Sequence, residues 1–257
     1  MTSHLALMSC LLVLLLSLDK FLLHYLKKRW LSPRISTSPS KSRRSMAAAA
    51  AGGGGAKWSE TAMLVIDMQK DFVDPAMRSP MLVDGGQAVV PTVAEAVAVA
   101  RERGIYVVWV VREHDPSGAD VEIFRRRYYS GGKGPTVKGL KGADLADGLV
   151  IKEGEYKLVK TRFSAFFATP LDSVLKTSGI KKLVIVESHY LSVYGFLGVQ
   201  TPNCIRQTVF DAVALDYEKV TVIIDATAAA RPEIHLSNIR DMKNIGVETP
   251  TLEEWRR

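Results

Sequence analysis

The strongest chemical signal in the sequence is a cysteine at the start of a predicted helix. Cys204 comes after a short apolar strand at residues 183–186 and directly before a segment with helical periodicity at residues 205–215. Backbone N–H groups and the helix dipole at such a position favour the thiolate, the nucleophilic form of cysteine. Cys204 is therefore a candidate nucleophile. The alternative is a small buried apolar residue, the usual role of a cysteine outside a disulfide.

Two further reactive residues come at the ends of predicted strands. Asp67 directly follows an apolar run at residues 62–66, and Lys160 ends a short run at residues 158–160. In parallel sheets the ligand crevice lies outside the carboxyl ends of the strands. The sequence therefore predicts that Asp67, Lys160 and Cys204 converge at one edge of a sheet. The alternatives are that Asp67 caps a turn and that Lys160 is a solvated strand end.

Strands and helices alternate along the chain from Trp58 onward. This alternation predicts an α/β fold in which a parallel sheet has helices on both faces and right-handed crossovers. A long connection at residues 112–155 is rich in glycine and charge, and loops of that length in compact domains are usually functional. The predicted strands span 62–66, 105–111, 158–160, 183–186 and 220–224, and the predicted helices span 87–103, 169–178, 205–215 and 232–245.

The net charge of +7 does not predict nucleic-acid binding, because it comes entirely from the N-terminal region. Residues 1–45 contain eight basic residues and one acidic residue, and the rest of the chain is balanced. The two cysteines, Cys10 and Cys204, cannot form a disulfide framework, which is typical of a reducing compartment.

Residues 1–57 are predicted to be an extension outside the fold, and residues 58–257 to be the folded domain. The apolar run at 5–18 is short for a membrane-spanning helix and is typical of a signal sequence or an anchor, whereas the Ser/Arg-rich stretch at 32–45 is typical of an organelle transit segment. We expect a cytoplasmic protein if translation starts at Met46. If residues 1–45 are retained, we expect membrane anchoring or organelle targeting.

Three blocks of the sequence resemble the signature blocks of the isochorismatase-like cysteine hydrolases. They are residues 65–72 (VIDMQKDF), 160–166 (KTRFSAF) and 198–204 (GVQTPNC), in a resemblance that runs from about Glu60 to Trp255. This superfamily includes nicotinamidases, carbamoylsarcosine amidases and ureidoacrylate hydrolases. Plant nicotinamidase-like proteins, some of them inactive as nicotinamidases, look most similar. The resemblance implies a three-layer, doubly wound parallel sheet of about six strands and an Asp–Lys–Cys triad.

Carried over by position, the resemblance implies a role for each residue of the triad. Cys204 would be the nucleophile, Asp67 the general base and Lys160 the supporting cation. The backbone N–H groups of Gln200 and Cys204 would bind the oxyanion, next to a cis peptide bond between Val199 and Gln200. The expected partner is a small-molecule substrate, and the expected assembly is a homo-oligomer. The candidate substrate contacts are Gln69, Phe72, His114 and Phe163.

The sequence departs from the nicotinamidases where those enzymes bind a metal. They have an Asp-x-His pair and another histidine downstream, whereas residues 111–116 here are VREHDP, with no further histidine before His189. We therefore predict no metal and no cofactor, and His114 would be a polar loop residue or a substrate contact. Residues 125–129 (RRRYY), with Lys133 and Lys138, would either attract an anionic substrate or form a solvated basic face.

A second departure is an eleven-residue segment, residues 187–197, between the strand and the nucleophile block. It could bulge outward and leave the site intact, or it could shift the strand end and displace the oxyanion donors. Two functions therefore remain open. One is a hydrolase of amide or ureido C–N bonds, and the other is a catalytically silent module with a binding or assembly role. Isochorismate-type ether hydrolysis is a third possibility.

Overall fold

The computed structural model of the protein describes residues 59–83, 85–187, 203–227 and 232–257. The N-terminal extension, all but the first residue of the 187–197 segment, and the predicted cis peptide between Val199 and Gln200 lie outside these ranges. None of the helices in the described ranges is both long enough and apolar enough to cross a bilayer.

Every strand and helix expected from the sequence forms, with bounds that differ by a few residues. The strands are β1 (Thr61–Ile66), β2 (Tyr106–Arg112), β3 (Tyr156–Lys160), β4 (Lys182–Glu187) and β5 (Lys219–Thr227). The helices are α1 (Lys70–Val73), α2 (Gly86–Glu102), α3 (Leu171–Thr177), α4 (Asn203–Ala214), α5 (Pro232–Asn244) and α6 (Leu252–Arg256).

All strand pairings in the sheet are parallel, in the order β3-β2-β1-β4-β5. The chain starts at the centre with β1, moves outward through β2 and β3, and then crosses to β4 and β5 on the other side. The order therefore reverses between β1 and β4, which is the position where doubly wound sheets bind ligands. Every residue of β1 is buried, as expected for a central strand covered on both faces.

The described residues form five strands, whereas the family resemblance implied about six. A short extended segment lies at the outer edge of β5, where Val222 N–H donates to Glu248 O at 2.8 Å and Ile224 N–H donates to Pro250 O at 3.0 Å. Pro250 has no N–H with which to continue the ladder, and α6 begins two residues later. The sixth pairing is therefore limited to this short contact.

The two faces of the sheet have separate apolar cores, so the domain has three layers. Alternate residues of β1 contribute to each core, with Leu64 on one face and Val65 on the other. The first core includes side chains of α3, α4 and α5, among them Leu171, Leu175, Ile205, Val209 and Met242. The second includes side chains of α2 and α6, among them Val93, Ala96, Val97, Ala100 and Leu252.

The long connection between β2 and β3 is fastened to the segment that follows β1. Asp71 Oδ2 accepts a hydrogen bond from Thr136 N–H at 2.6 Å, and Ala146 N–H donates to Met68 O at 2.9 Å. Gly142 approaches so closely that an added Cβ would lie 1.9 Å from Asp71 Oδ2. These contacts hold the connection over the carboxyl edge of the sheet.

Candidate active site

Asp67 lies at a sharp backbone turn directly after β1. Its φ of 53° is in the left-handed region, which is uncommon for residues other than glycine. Its N–H still bonds Val110 O at 2.8 Å, so the turn begins where the β1–β2 pairing ends. Strained conformations of this kind are found at functional sites, where the surroundings hold them in place.

Lys160, the last residue of β3, forms a buried ion pair with Asp67. Its Nζ lies 2.8 Å from Asp67 Oδ2 and also donates to Phe163 O at 2.9 Å. The two side chains are 0% and 3% exposed. The ammonium therefore holds the carboxylate in one place at the sheet edge.

Cys204 completes the group from the second position of α4, where it is 8% exposed. Its thiol hydrogen-bonds the Asp67 carboxylate. The structure thus brings together the three residues that the sequence places at strand ends and at a helix start. Their catalytic roles are still a prediction.

The charge of Asp67 is maintained by its neighbours. Burial alone would raise the pKa of the carboxyl, but Lys160, Arg112 and the hydrogen bond from Cys204 hold that pKa below its ordinary value. Asp67 is therefore ionised at neutral pH and can accept a proton.

Arg112, which the sequence pattern assigns to the long connection after the strand, is the last residue of β2 and also lies in this group. Its Nε lies 3.8 Å from Asp67 Oδ2, and its Nη2 lies 3.9 Å from Cys204 Sγ. The side chain is 1% exposed. The signal that could have identified it is the one used for Asp67 and Lys160, a charged residue at the carboxyl end of a buried strand.

Gln69 uses its side chain to hold the backbone of Arg112. Its Oε1 accepts from Arg112 N–H at 2.7 Å, and its Nε2 donates to Arg112 O at 2.7 Å and to Ala143 O at 2.8 Å. Gln69 is fully buried. The amide therefore has a structural role, in which it positions Arg112 and the long connection, and a contact of Gln69 with substrate stays a prediction.

The basic run at residues 125–129 has one buried arginine. Arg125 is 4% exposed and pairs with Glu122 Oε2 at 3.5 Å, whereas Arg126 and Arg127 are exposed. Residues 125–128 of the run lie in the 3₁₀ helix Ile123–Tyr128, which has three residues per turn, so only one residue per turn is directed inward. Of the arginines in this run, Arg126 and Arg127 therefore form a solvated basic face and Arg125 does not.

Phe163 forms an aromatic wall beside the arginines. The guanidinium carbon of Arg125 lies 4.9 Å from its ring centroid, that of Arg112 lies 5.5 Å away, and the ring of Phe124 stacks on it at 6.2 Å. Phe163 is thus next to the group that contains Cys204, where a substrate contact was predicted. Phe72 is different, because it is 3% exposed and its side chain lies in the core beneath α2 rather than at the site.

Comparison with known proteins identifies the family. The isochorismatase-domain family model matches residues 61–254. The chain belongs to the isochorismatase family.

Relatives in the isochorismatase family include proteins similar over most of this chain. A protein from Arabidopsis thaliana described as a probable inactive nicotinamidase is 62% identical over 201 residues, which are 77% of this chain and 96% of that protein. The solved structure of an isochorismatase family protein from Desulfovibrio vulgaris is 40% identical, with a TM-score of 0.68 over 76% of this chain and 95% of that one. An isochorismatase-like hydrolase from Alkaliphilus metalliredigens is 30% identical, with a TM-score of 0.62 over 76% and 97%.

The metal site that the resemblance to nicotinamidases implies does not fit the residues around His114. Its Nε2 lies 3.3 Å from Arg112 Nη1, and because a guanidinium only donates, that nitrogen acts as an acceptor and is already occupied. Its Nδ1 lies 3.3 Å from Asp120 Oδ1. Among the described residues, no group of three or more His, Cys, Asp or Glu side chains could hold a metal ion.

His114 is a neutral, buried part of the site region. Burial and the charge of Arg112 lower the pKa of His114 to about 4, against the opposing effect of Asp120 and Glu122. The ring also packs edge-on against Tyr129 at a centroid distance of 5.8 Å. These contacts give His114 a structural role, and its contact with a substrate stays a prediction.

Proposed function

We propose that the protein is a metal-independent cysteine hydrolase that cleaves an amide or ureido C–N bond of a small molecule. The observation that supports this most strongly is the buried contact of Asp67 with both Lys160 and Cys204. A proton acceptor, a cation and a thiol in one buried place are the groups that acyl transfer through a thioester requires.

In the first half-reaction, Asp67 accepts the proton of the Cys204 thiol while the sulfur attacks the substrate carbonyl carbon. A C–S bond forms and the carbonyl π electrons move to oxygen, for which the family resemblance implies backbone N–H donors at Gln200 and Cys204. The tetrahedral intermediate then collapses. The C–N bond breaks, the leaving nitrogen takes the proton from Asp67, and a thioester remains on Cys204.

In the second half-reaction, water enters the place that the amine has left. Asp67 accepts one proton of the water while its oxygen attacks the thioester carbonyl. The C–S bond breaks, the sulfur recovers the proton from Asp67, and the carboxylic or carbamic acid leaves. Lys160 keeps the Asp67 carboxylate aimed at the reacting atoms through both half-reactions.

A catalytically silent module is the second candidate. The Arabidopsis relative, 62% identical, is described as inactive as a nicotinamidase, and the 187–197 segment directly precedes the nucleophile block. A protein that is inactive toward nicotinamide can still hydrolyse other amides or ureido compounds. The description of the relative therefore argues against nicotinamide as a substrate more than it argues against hydrolase activity. Homo-oligomerisation and a cytoplasmic location also remain predictions.

Turnover by the full chain tests the proposal. The wild type, Cys204→Ala and a variant lacking residues 187–197 would be incubated with small amides, ureido acids and nicotinamide, and the released ammonia or amine would be measured. We expect the wild type to hydrolyse at least one non-nicotinamide compound, with Cys204→Ala at least about a thousandfold slower. Intact mass of the wild type during turnover should show the substrate acyl group on Cys204.

Each other outcome has a clear meaning. Activity only in the deletion variant would mean that the 187–197 segment disables a hydrolase scaffold. Silence of both forms on the whole panel would contradict the hydrolase and support the binding module. Equal activity of the wild type and Cys204→Ala would contradict the thioester mechanism.

A further inference from the structure

We propose that Arg112 is a further catalytic residue, the counter-ion that stabilises the Cys204 thiolate when the thiol proton moves to Asp67. The inference rests on the proposed hydrolase function and adds a fourth residue to its machinery. Neither the triad nor the oxyanion donors implied by the family resemblance include this arginine.

The first observation is that Arg112 lies close to both the proton donor and the proton acceptor. Its guanidinium lies 3.8 Å from Asp67 Oδ2 through Nε and 3.9 Å from Cys204 Sγ through Nη2. One rigid, planar cation therefore faces both atoms that exchange the proton. Lys160, in contrast, contacts Asp67 at 2.8 Å and donates its other described hydrogen bond to a backbone carbonyl.

The charge balance of the proton transfer explains why such a cation is needed. Before transfer, the negative charge is on Asp67, where Lys160 stabilises it. After transfer, Asp67 is neutral and the charge is on the Cys204 sulfur, so the attraction of Lys160 for Asp67 is lost. In a buried site that loss is large, and a second cation in contact with the sulfur offsets it.

Arg112 is held where the sulfur needs it. Gln69 binds both its N–H and its carbonyl, and Glu122 Oε1 accepts from Nη2 at 3.1 Å. The guanidinium also lies over the Phe163 ring. A cation fixed in this way needs no reorganisation when the charge moves, which is the condition for effective electrostatic catalysis.

Several charged groups of the described residues act on Cys204, and they do not act equally. Asp67 opposes the thiolate, because two adjacent anions repel. Arg112 favours it at 3.9 Å, and Arg125 adds a weaker attraction from the 3₁₀ helix beyond Glu122. An arginine keeps its charge under complete burial, which makes Arg112 a permanent counter-ion.

The alternative is that Arg112 only forms a structural ion pair with Glu122. Thiolate content separates the two, because it can be measured without any substrate. The rate at which iodoacetamide alkylates Cys204 would be followed by peptide mass spectrometry from pH 5 to pH 9, on the full chain. Wild type, Arg112→Met, Arg112→Gln and Arg112→Lys would be compared, with Arg126→Met as a control that removes an exposed arginine of the connection between β2 and β3.

We expect Arg112→Met to alkylate at least about tenfold more slowly than wild type at pH 7, with its rate rising at a higher pH, because one pH unit in the thiol titration is a tenfold change in thiolate. Arg112→Lys should recover part of the loss, since it restores the charge. Arg126→Met should coincide with wild type.

Coincident pH profiles of Arg112→Met and wild type would overturn the proposal, as would slow alkylation of wild type at every pH below 8. If Arg112→Met does not fold, as judged by circular dichroism, Arg112→Gln takes its place, and a profile of Arg112→Gln that coincides with wild type would overturn the proposal. The outcome is separate from that of the hydrolase. If the alkylation profile depends on Arg112 but the wild type hydrolyses no compound, only the hydrolase proposal is contradicted. If Arg112→Met hydrolyses substrate at the wild-type rate, only the present inference is contradicted.

Discussion

The two edges of the sheet each have a lysine–carboxylate pair of similar length in opposite surroundings. At the amino edge, Lys181 Nζ lies 2.6 Å from Glu60 Oε1, and the side chains are 48% and 39% exposed. At the carboxyl edge, Lys160 Nζ lies 2.8 Å from Asp67 Oδ2, and the side chains are 0% and 3% exposed. The distances are nearly equal, so distance does not distinguish a surface contact from a reactive centre.

Burial makes the difference between the two pairs. Water solvates each partner of the exposed pair independently, so either can be lost at little cost. Each partner of the buried pair depends on the other, because a single uncompensated charge in the interior is strongly unfavourable. The carboxyl edge therefore keeps its charges in a fixed, interdependent arrangement, which is suited to proton transfer and sensitive to substitution.

The largest expected effect follows from removing the buried cation. Lys160→Met leaves the Asp67 carboxylate buried without its closest partner, and we expect it to lower the free energy of unfolding by about 3–5 kcal/mol. Urea unfolding of the full chain, followed by fluorescence, measures this change.

The matched control removes both charges. The double variant Lys160→Met/Asp67→Asn should be more stable than Lys160→Met, because no buried charge is then left unpaired. If Lys160→Met unfolds at the same urea concentration as wild type, the pair is solvated and the contrast between the edges fails.

An intermediate effect is expected from the buried histidine at the carboxyl edge. The unfolded chain protonates His114 as pH falls through about 6.5, whereas the folded protein binds that proton only near the lowered pKa of about 4. Above pH 6.5, His114 should therefore cause no loss in the free energy of unfolding. Between pH 6.5 and pH 4, we expect that free energy to fall by about 3 kcal/mol because of this residue.

Urea unfolding at several pH values measures the effect of His114. In His114→Gln, which cannot be protonated, the slope between pH 6.5 and pH 4 should be smaller than in wild type. Below that range the ionised carboxyls Asp67 and Glu122, whose pKa values are lowered in the fold, add a loss in the same direction. If the free energy of unfolding changes in parallel with pH for wild type and His114→Gln, His114 is protonated in the folded state between pH 6.5 and pH 4, and the prediction is wrong.

The smallest effect is expected at the amino edge. Lys181→Met removes the cation of the exposed pair, and its urea midpoint should equal that of wild type within experimental scatter, because water replaces the lost contact. In 1 M salt, the urea midpoint of Lys181→Met should likewise equal that of wild type, because salt screens an exposed pair. A clear loss of stability in Lys181→Met would mean that exposure does not divide the two edges as proposed.

Much of the fold was predictable because its signals are local. The run at residues 62–66 is apolar at every position, as a central parallel strand must be, and the helical period from Gly86 to Glu102 marks a helix that packs on one face. The ends of such runs are also local, so Asp67 and Lys160 could be assigned to strand ends. The five-stranded order followed only from the pairing of β4 beside β1.

Other features depend on contacts between residues far apart in sequence. The sequence does not distinguish Arg125 from Arg126, yet the turn of the 3₁₀ helix buries the first and exposes the second. Nor does it show that the amide of Gln69 bonds the backbone of a strand 43 residues away or that Phe72 packs in a core.

By itself, the sequence determined that the chain alternates strands and helices and that Asp67, Lys160 and Cys204 come at the ends and starts of those elements. Only the tertiary structure decided that Arg112 faces both Asp67 and Cys204, that Gln69 holds it there, and that the long connection covers the site. The physical reason is that periodicity is encoded within a few residues, whereas burial and the distance between charges depend on which strands become neighbours.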